Sequence, residues 1–145
     1  MGSSKCRAVD HTRRTTVASV LLIEDHPNQR LLYQMELEDW GHQVQAPENV
    51  QEALASIREK PPDLVVLDSH LSDYREIGAL PIIKEISPEL PVIIYTGESL
   101  FGDDYRYFLA DACLTKSSDV GPLLKTVDKL LNTPEQEHAM EAWTF

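Results

Sequence analysis

The sequence predicts an α/β fold: a doubly wound, five-stranded parallel sheet with helices on both faces. Three observations lead there. Five short strand-like runs alternate with five stretches of helical character, the pattern of parallel strands joined by crossover helices. Three of those runs are apolar throughout, as in strands covered on both faces. Polar residues suited to a ligand site follow the strands at their carboxyl ends, where open α/β sheets bind ligands.

The elements follow in order. Residues 1–16 are polar and aperiodic and read as a flexible tail. Val17–Ile23 (VASVLLI) is the first strand, ending in Glu24-Asp25. His26-Pro27 opens a helix, with proline early, where its missing N–H costs nothing; the helix runs to about Trp40, and Gly41 stops it. Gln43–Ala46 is a short second strand. Val50, Ala53, Leu54 and Ile57 repeat at helical spacing until Pro61-Pro62.

Leu64–Leu67 (LVVL) is the third strand and leads into Asp68, followed by a polar loop from His70 to Arg75. A helix is expected over Ile77–Ile86, with Pro81 either kinking it or delaying its start. Val92–Tyr95 (VIIY) is the fourth strand and ends at Thr96-Gly97. A short helix is expected near Asp103–Leu109. Ala112–Leu114 is the fifth strand, ending at Thr115-Lys116. Val120, Leu123, Leu124, Val127, Leu130 and Leu131 share one face of the last helix. The globular part is thus 17–132, and 133–145 form a C-terminal tail or linker.

Composition narrows the function. The 145 residues suit one domain with a proper core, and 42% hydrophobic with 26% charged residues is ordinary for a soluble globular protein. No apolar run is long enough to span a membrane, and the N-terminal stretch lacks the apolar core of a secretory signal. A formal net charge of −11 repels phosphate backbones, so direct nucleic-acid binding is not expected. The two cysteines, Cys6 and Cys113, have no metal-type spacing, which points to a reducing compartment, most simply the cytoplasm.

The strand ends carry the chemistry. Strand one delivers Glu24 and Asp25, strand three Asp68, strand four Thr96, and strand five Lys116. Three carboxylates brought together repel and call for a cation. An all-oxygen set suits Mg2+. A carboxylate can also act as a nucleophile and form an aspartyl phosphate, with catalysis resting on positioning and charge neutralisation. Lys116 offers a point charge to one phosphoryl oxygen, Thr96 a hydroxyl to another, and Gly97 leaves room. Each residue alone has an ordinary explanation: Asp25 as a helix cap, Thr96 as a turn residue, Lys116 as a solvated charge. Their joint order, each at a strand end, argues for a site.

The segments VLLIEDHP, LVVLDSHL, VIIYTGE and CLTKS resemble the receiver domains of bacterial response regulators, over about Val17–Leu131. The resemblance implies a flavodoxin-like sheet of strand order 2-1-3-4-5, and that Glu24, Asp25 and Asp68 bind Mg2+, with the main-chain carbonyl of His70 completing the shell. It further implies that a histidine kinase or phosphotransfer protein phosphorylates Asp68, and that Thr96 and Lys116 contact the phosphoryl group. His70 and Glu98 would flank the path of the water that removes it. The chain would then be a phosphoacceptor signalling domain rather than a turnover enzyme. A downstream protein target or output domain, or a homodimer, would read its state through the predicted fourth helix, fifth strand and fifth helix.

Departures stand beside the matches. Ser72 and Ser117 replace prolines usual in the family, and Cys113 replaces the Tyr or Phe that swings inward on phosphorylation. Two alternatives stay open. One is a receiver-like interaction module that works without phosphorylation. The other is a phosphatase of the haloacid dehalogenase type, which needs an Asp where His70 stands.

Overall fold

The computed structural model describes residues 17–68, 78–97 and 108–132. They form β1 (Ser19–Ile23), α1 (Pro27–Asp39), β2 (Gln43–Gln45), α2 (Val50–Glu59), β3 (Leu64–Leu67), α3 (Ala79–Ile86), β4 (Val92–Thr96), β5 (Ala112–Thr115) and α4 (Gly121–Leu131). The strands pair in parallel in the order β2-β1-β3-β4-β5, as expected. None of the helices among the described residues is long and apolar enough to cross a membrane.

Alternation along the central strands divides the core into two halves. Leu21, Ile23, Val65, Leu67, Val92 and Ile94 pack against α2 and α3. Val20, Leu22, Leu64, Val66, Ile93 and Tyr95 face the other way, onto Tyr33 and Leu37 of α1 and onto Leu123, Leu124 and Val127 of α4. Both faces are covered, which is why these strands read as unbroken apolar runs.

The helix ends follow local chemistry. Asn49 caps α2 by accepting the Glu52 N–H at 2.9 Å. Gly41, at φ 115°, ends α1 in a conformation that glycine adopts without strain. There His42 N–H returns to Leu37 O at 3.2 Å and Gly41 N–H to Glu38 O at 3.0 Å, the paired bonds of a Schellman turn. The turn buries His42, with Nε2 3.6 Å from Asp128 Oδ1 on α4, while Trp40 Nε1 donates to Asp128 Oδ2 at 2.9 Å. The end of α1 is thereby fastened to α4.

Boundaries differ from expectation in a few places. α3 begins at Ala79, so Pro81 sits in its first turn, where backbone N–H groups lack intrahelical partners anyway. Proline here goes with a late start rather than a kink. β1 begins at Ser19, β2 ends at Gln45, and β4 and β5 extend through Thr96 and Thr115. Of the helix expected near Asp103–Leu109, only Phe108 and Leu109 are described, and they lie in a 3-10 turn. The tails 1–16 and 133–145, the loop 69–77 and residues 98–107 fall outside the described residues. No cis peptide bond occurs among those described, so Lys116–Ser117 is trans.

The core and the cap should differ in what they contribute to stability. Ile83, fully buried between α3 and the sheet, should lose about 2–5 kcal/mol of unfolding free energy as Ile83→Ala. Asn49→Ala should lose about 1 kcal/mol. Urea denaturation checks both; equal losses would contradict this division of the core from the cap.

Candidate functional site at the carboxyl edge of the sheet

Strand register brings the site together. Ile23 pairs with Leu67, and Leu67 with Ile94, so the three central strands end nearly level. The ladder continues one step past the strands: Asp68 N–H donates to Ile23 O at 2.9 Å, and Lys116 N–H to Thr96 O at 2.7 Å. Glu24, Asp25, Asp68, Thr96 and Lys116 therefore sit around one end of the sheet. Glu24, Asp68 and Thr96 are buried there, and Asp25 is half-buried.

One carboxylate oxygen from each of Glu24, Asp25 and Asp68 lies within 4.8 Å of the others. Such an all-oxygen set can hold a hard divalent cation. Glu24 is the most constrained member. Its Oε1 accepts Lys116 Nζ at 2.7 Å and its Oε2 accepts the His26 backbone N–H at 3.2 Å. Arg30 Nη1 donates to the Glu24 main-chain oxygen at 3.1 Å. Burial pushes the Glu24 carboxyl above its ordinary value and the Asp68 charge adds to that, while Lys116 pulls the other way. The net rise shows that one ammonium does not offset desolvation together with a second carboxylate.

Lys116 is nearly enclosed. Besides Glu24, its Nζ reaches Gln29 Oε1 at 2.5 Å, lies 3.7 Å from Asp68 Oδ2, and sits 5.6 Å from the centre of the Tyr33 ring. Tyr33 in turn meets Tyr95 edge-to-face, with centroids 5.2 Å apart. Burial raises the pKa of the Tyr33 hydroxyl, reinforced by Glu24 and Asp68. Tyr95 is likewise raised by burial.

Two expected modulators differ in kind. Among the described residues, a Cβ at Gly97 would meet Lys116 Cδ at 3.9 Å, an ordinary contact, so crowding by those residues does not require glycine there. Cys113 pairs with Ile94 in register and packs on the α2–α3 half of the core. Burial raises the Cys113 thiol, which disfavours the reactive thiolate. His70 and Glu98 lie outside the described residues.

Sequence reading missed Gln29 and Tyr33. Gln29 and Tyr33 stand four residues apart on α1, the spacing of one helix face. That periodicity, anchored on an acidic pair at a strand end, was the available signal.

The model of the response regulator receiver domain family matches residues 20–128. The transcriptional regulatory protein ZraR of Salmonella typhimurium is 31% identical over 114 residues, which cover 77% of this chain and 26% of that protein. The chain thus spans about a quarter of that relative's length. The response regulator TrrA of Thermotoga maritima, solved in complex with Mg2+-BeF, is 29% identical with a TM-score of 0.74, covering 78% of this chain and 98% of that one. TrrA in complex with the histidine kinase ThkA gives a TM-score of 0.73 at 29% identity, covering 79% and 98%.

The raised Glu24 carboxyl has a pH signature. Its folded pKa exceeds the unfolded one, so its contribution to stability is complete below the ordinary value of 4.5 and is lost as pH rises through the folded value. Without divalent cations, Glu24→Gln should therefore gain on wild type as pH rises from about 4 to 7. Denaturation at several pH values measures this; a difference that stays constant would contradict the assignment.

Proposed function

This chain belongs to the response regulator receiver domain family, and we propose that it is a phosphorylation switch in which Asp68 accepts a phosphoryl group from a histidine kinase or phosphotransfer protein. The observation that carries this reading is the position of Asp68: buried at a strand end, 3.7 Å from Lys116 and within cation-sharing distance of Glu24 and Asp25.

In the proposed transfer a carboxylate oxygen of Asp68 attacks phosphorus. The P–O bond forms as the P–N bond to the donor histidine breaks, and the electron pair stays on the imidazole nitrogen. Lys116 provides fixed positive charge beside the new phosphoryl oxygens, and Thr96 a hydroxyl donor. Glu24, Asp25 and Asp68, with the main-chain carbonyl of His70, would hold Mg2+, which would supply charge neutralisation at those oxygens. The TrrA complex with Mg2+-BeF supports this assignment. Hydrolysis would return the Asp68 carboxylate and inorganic phosphate, and His70 and Glu98 are assigned to setting its rate.

The donor must approach over the same edge. α1 starts two residues past Asp25, and its outer face exposes Leu31, Leu32 and Met35. We assign this apolar strip to the kinase or phosphotransfer partner; the complex of TrrA with ThkA supports that class of partner. The net charge of −11 disfavours nucleic acid, so the reader of the signal is assigned to protein: an attached output domain, a separate target or a second copy. A cytoplasmic setting fits these partners.

Incubation with a small phosphodonor and Mg2+ should give an acid-stable, base-labile phosphoryl adduct on Asp68, absent from Asp68→Asn. Leu31→Asp and Met35→Glu should slow transfer from a phosphorylated kinase about tenfold or more, the cost of losing a buried apolar contact at an interface. Labelling by the small donor should remain. An adduct elsewhere, or none, would overturn the Asp68 assignment. Equal slowing with both donors would overturn the docking assignment.

A further inference from the structure

We infer that Gln29 is a positioning residue for phosphoryl transfer, holding the Lys116 ammonium within reach of Asp68 independently of the carboxylates. This rests on the phosphoacceptor reading above. An ammonium has three donors and no acceptor, so the atom Gln29 turns toward it must be its carbonyl oxygen. Two donors are engaged at short range, by Glu24 Oε1 at 2.7 Å and Gln29 Oε1 at 2.5 Å. Asp68 Oδ2, at 3.7 Å, is beyond hydrogen-bond range. Lys116 is thus aimed at the acceptor but fastened by other groups.

The two anchors differ in one respect that matters. Glu24 is charged and shares the carboxylate cluster, so a cation bound there competes with Lys116 for it. Gln29 is neutral and stands in the first turn of α1, outside that cluster. Its hold on the ammonium does not depend on whether a cation is present. When positive charge gathers at Glu24, Asp25 and Asp68, Lys116 is repelled, and Gln29 is the anchor that keeps it at the edge. The same contact keeps the ammonium over the face of Tyr33.

The test uses the full chain, with beryllofluoride as the phosphoryl probe. Gln29→Ala removes the side chain beyond Cβ; Gln29→Met keeps its length and replaces the carboxamide with a thioether. Both should weaken Mg2+-dependent beryllofluoride binding about tenfold, roughly one charge-assisted hydrogen bond. Affinity for Mg2+ alone should stay within about twofold, because Gln29 is not a ligand in this scheme. In a Lys116→Met background the Gln29 substitutions should have no further effect. In the metal-free protein, NMR resonances of the Tyr33 ring should shift in both variants as the ammonium loses its place. Unchanged beryllofluoride affinity in Gln29→Met would overturn the inference, and so would an equal loss in the Lys116→Met background. Failure of wild type to bind beryllofluoride would count against the phosphoacceptor reading, whereas unmoved Tyr33 resonances in the metal-free variants would count against the role of Gln29.

Discussion

Like charge gathered at a buried edge is the constraint around which the rest of the structure is arranged. Glu24, Asp25 and Asp68 are brought within a few ångströms by the parallel register of β1 and β3. Two carboxylates about 4 Å apart repel by about 1 kcal/mol in water and about 4 kcal/mol at the effective dielectric near a protein surface. Burial adds desolvation, and its mark is the raised Glu24 carboxyl. Lys116 is the counterion placed against it, enclosed by Glu24, Gln29 and Tyr33. The apolar strands supply the rigidity that holds such a cluster together, since Leu21, Leu22, Ile23, Leu67, Ile93 and Ile94 leave almost no surface to water.

This explains why so much of the site was legible in the sequence. Each central strand reads as a largely apolar run, so its end is visible as the first carboxylate or aliphatic hydroxyl: Glu24 after LLI, Asp68 after LVVL, Thr96 after VIIY. In a parallel sheet those ends lie on one edge by topology, and the residue types then name the chemistry. Gly41 was legible because the end of α1 requires positive φ. Gln29 and Tyr33 were not read because their role depends on which face of α1 turns toward β5, a tertiary fact. The start of α3 was ambiguous because proline is compatible with both a first turn and a kink. His70 and Glu98 depend on loops beyond the described residues.

The aromatic groups near the edge have an arrangement of their own. Cys113 stands where receiver domains commonly carry a ring, and its half-buried thiol faces the α2–α3 half of the core. Among the described residues, the ring beside Lys116 is Tyr33, which meets Tyr95; both lie on the opposite half with α1 and α4. Lys116 over Tyr33, and Tyr33 against Tyr95, make a continuous path from the charged edge into that half of the core. Tyr95 directly precedes Thr96, so one strand end carries both a site hydroxyl and a ring of this path. Trp40 fastens the far end of α1 to α4 through its hydrogen bond to Asp128, so the two helices flanking these rings are also joined to each other.

A cation held by Glu24, Asp25 and Asp68 would relieve the repulsion built into this edge. The unfolding free energy of wild type and Asp25→Asn at neutral pH, followed as Mg2+ is raised, tests this most directly. A ligand that binds only the folded state adds RT ln(1 + [L]/Kd), about 2.7 kcal/mol at a hundredfold excess over Kd. Wild type should follow that logarithmic rise, and Asp25→Asn should require far more Mg2+ to begin it. Stability that does not respond to Mg2+, or that responds equally in both proteins, would contradict a cation held at this edge through Asp25.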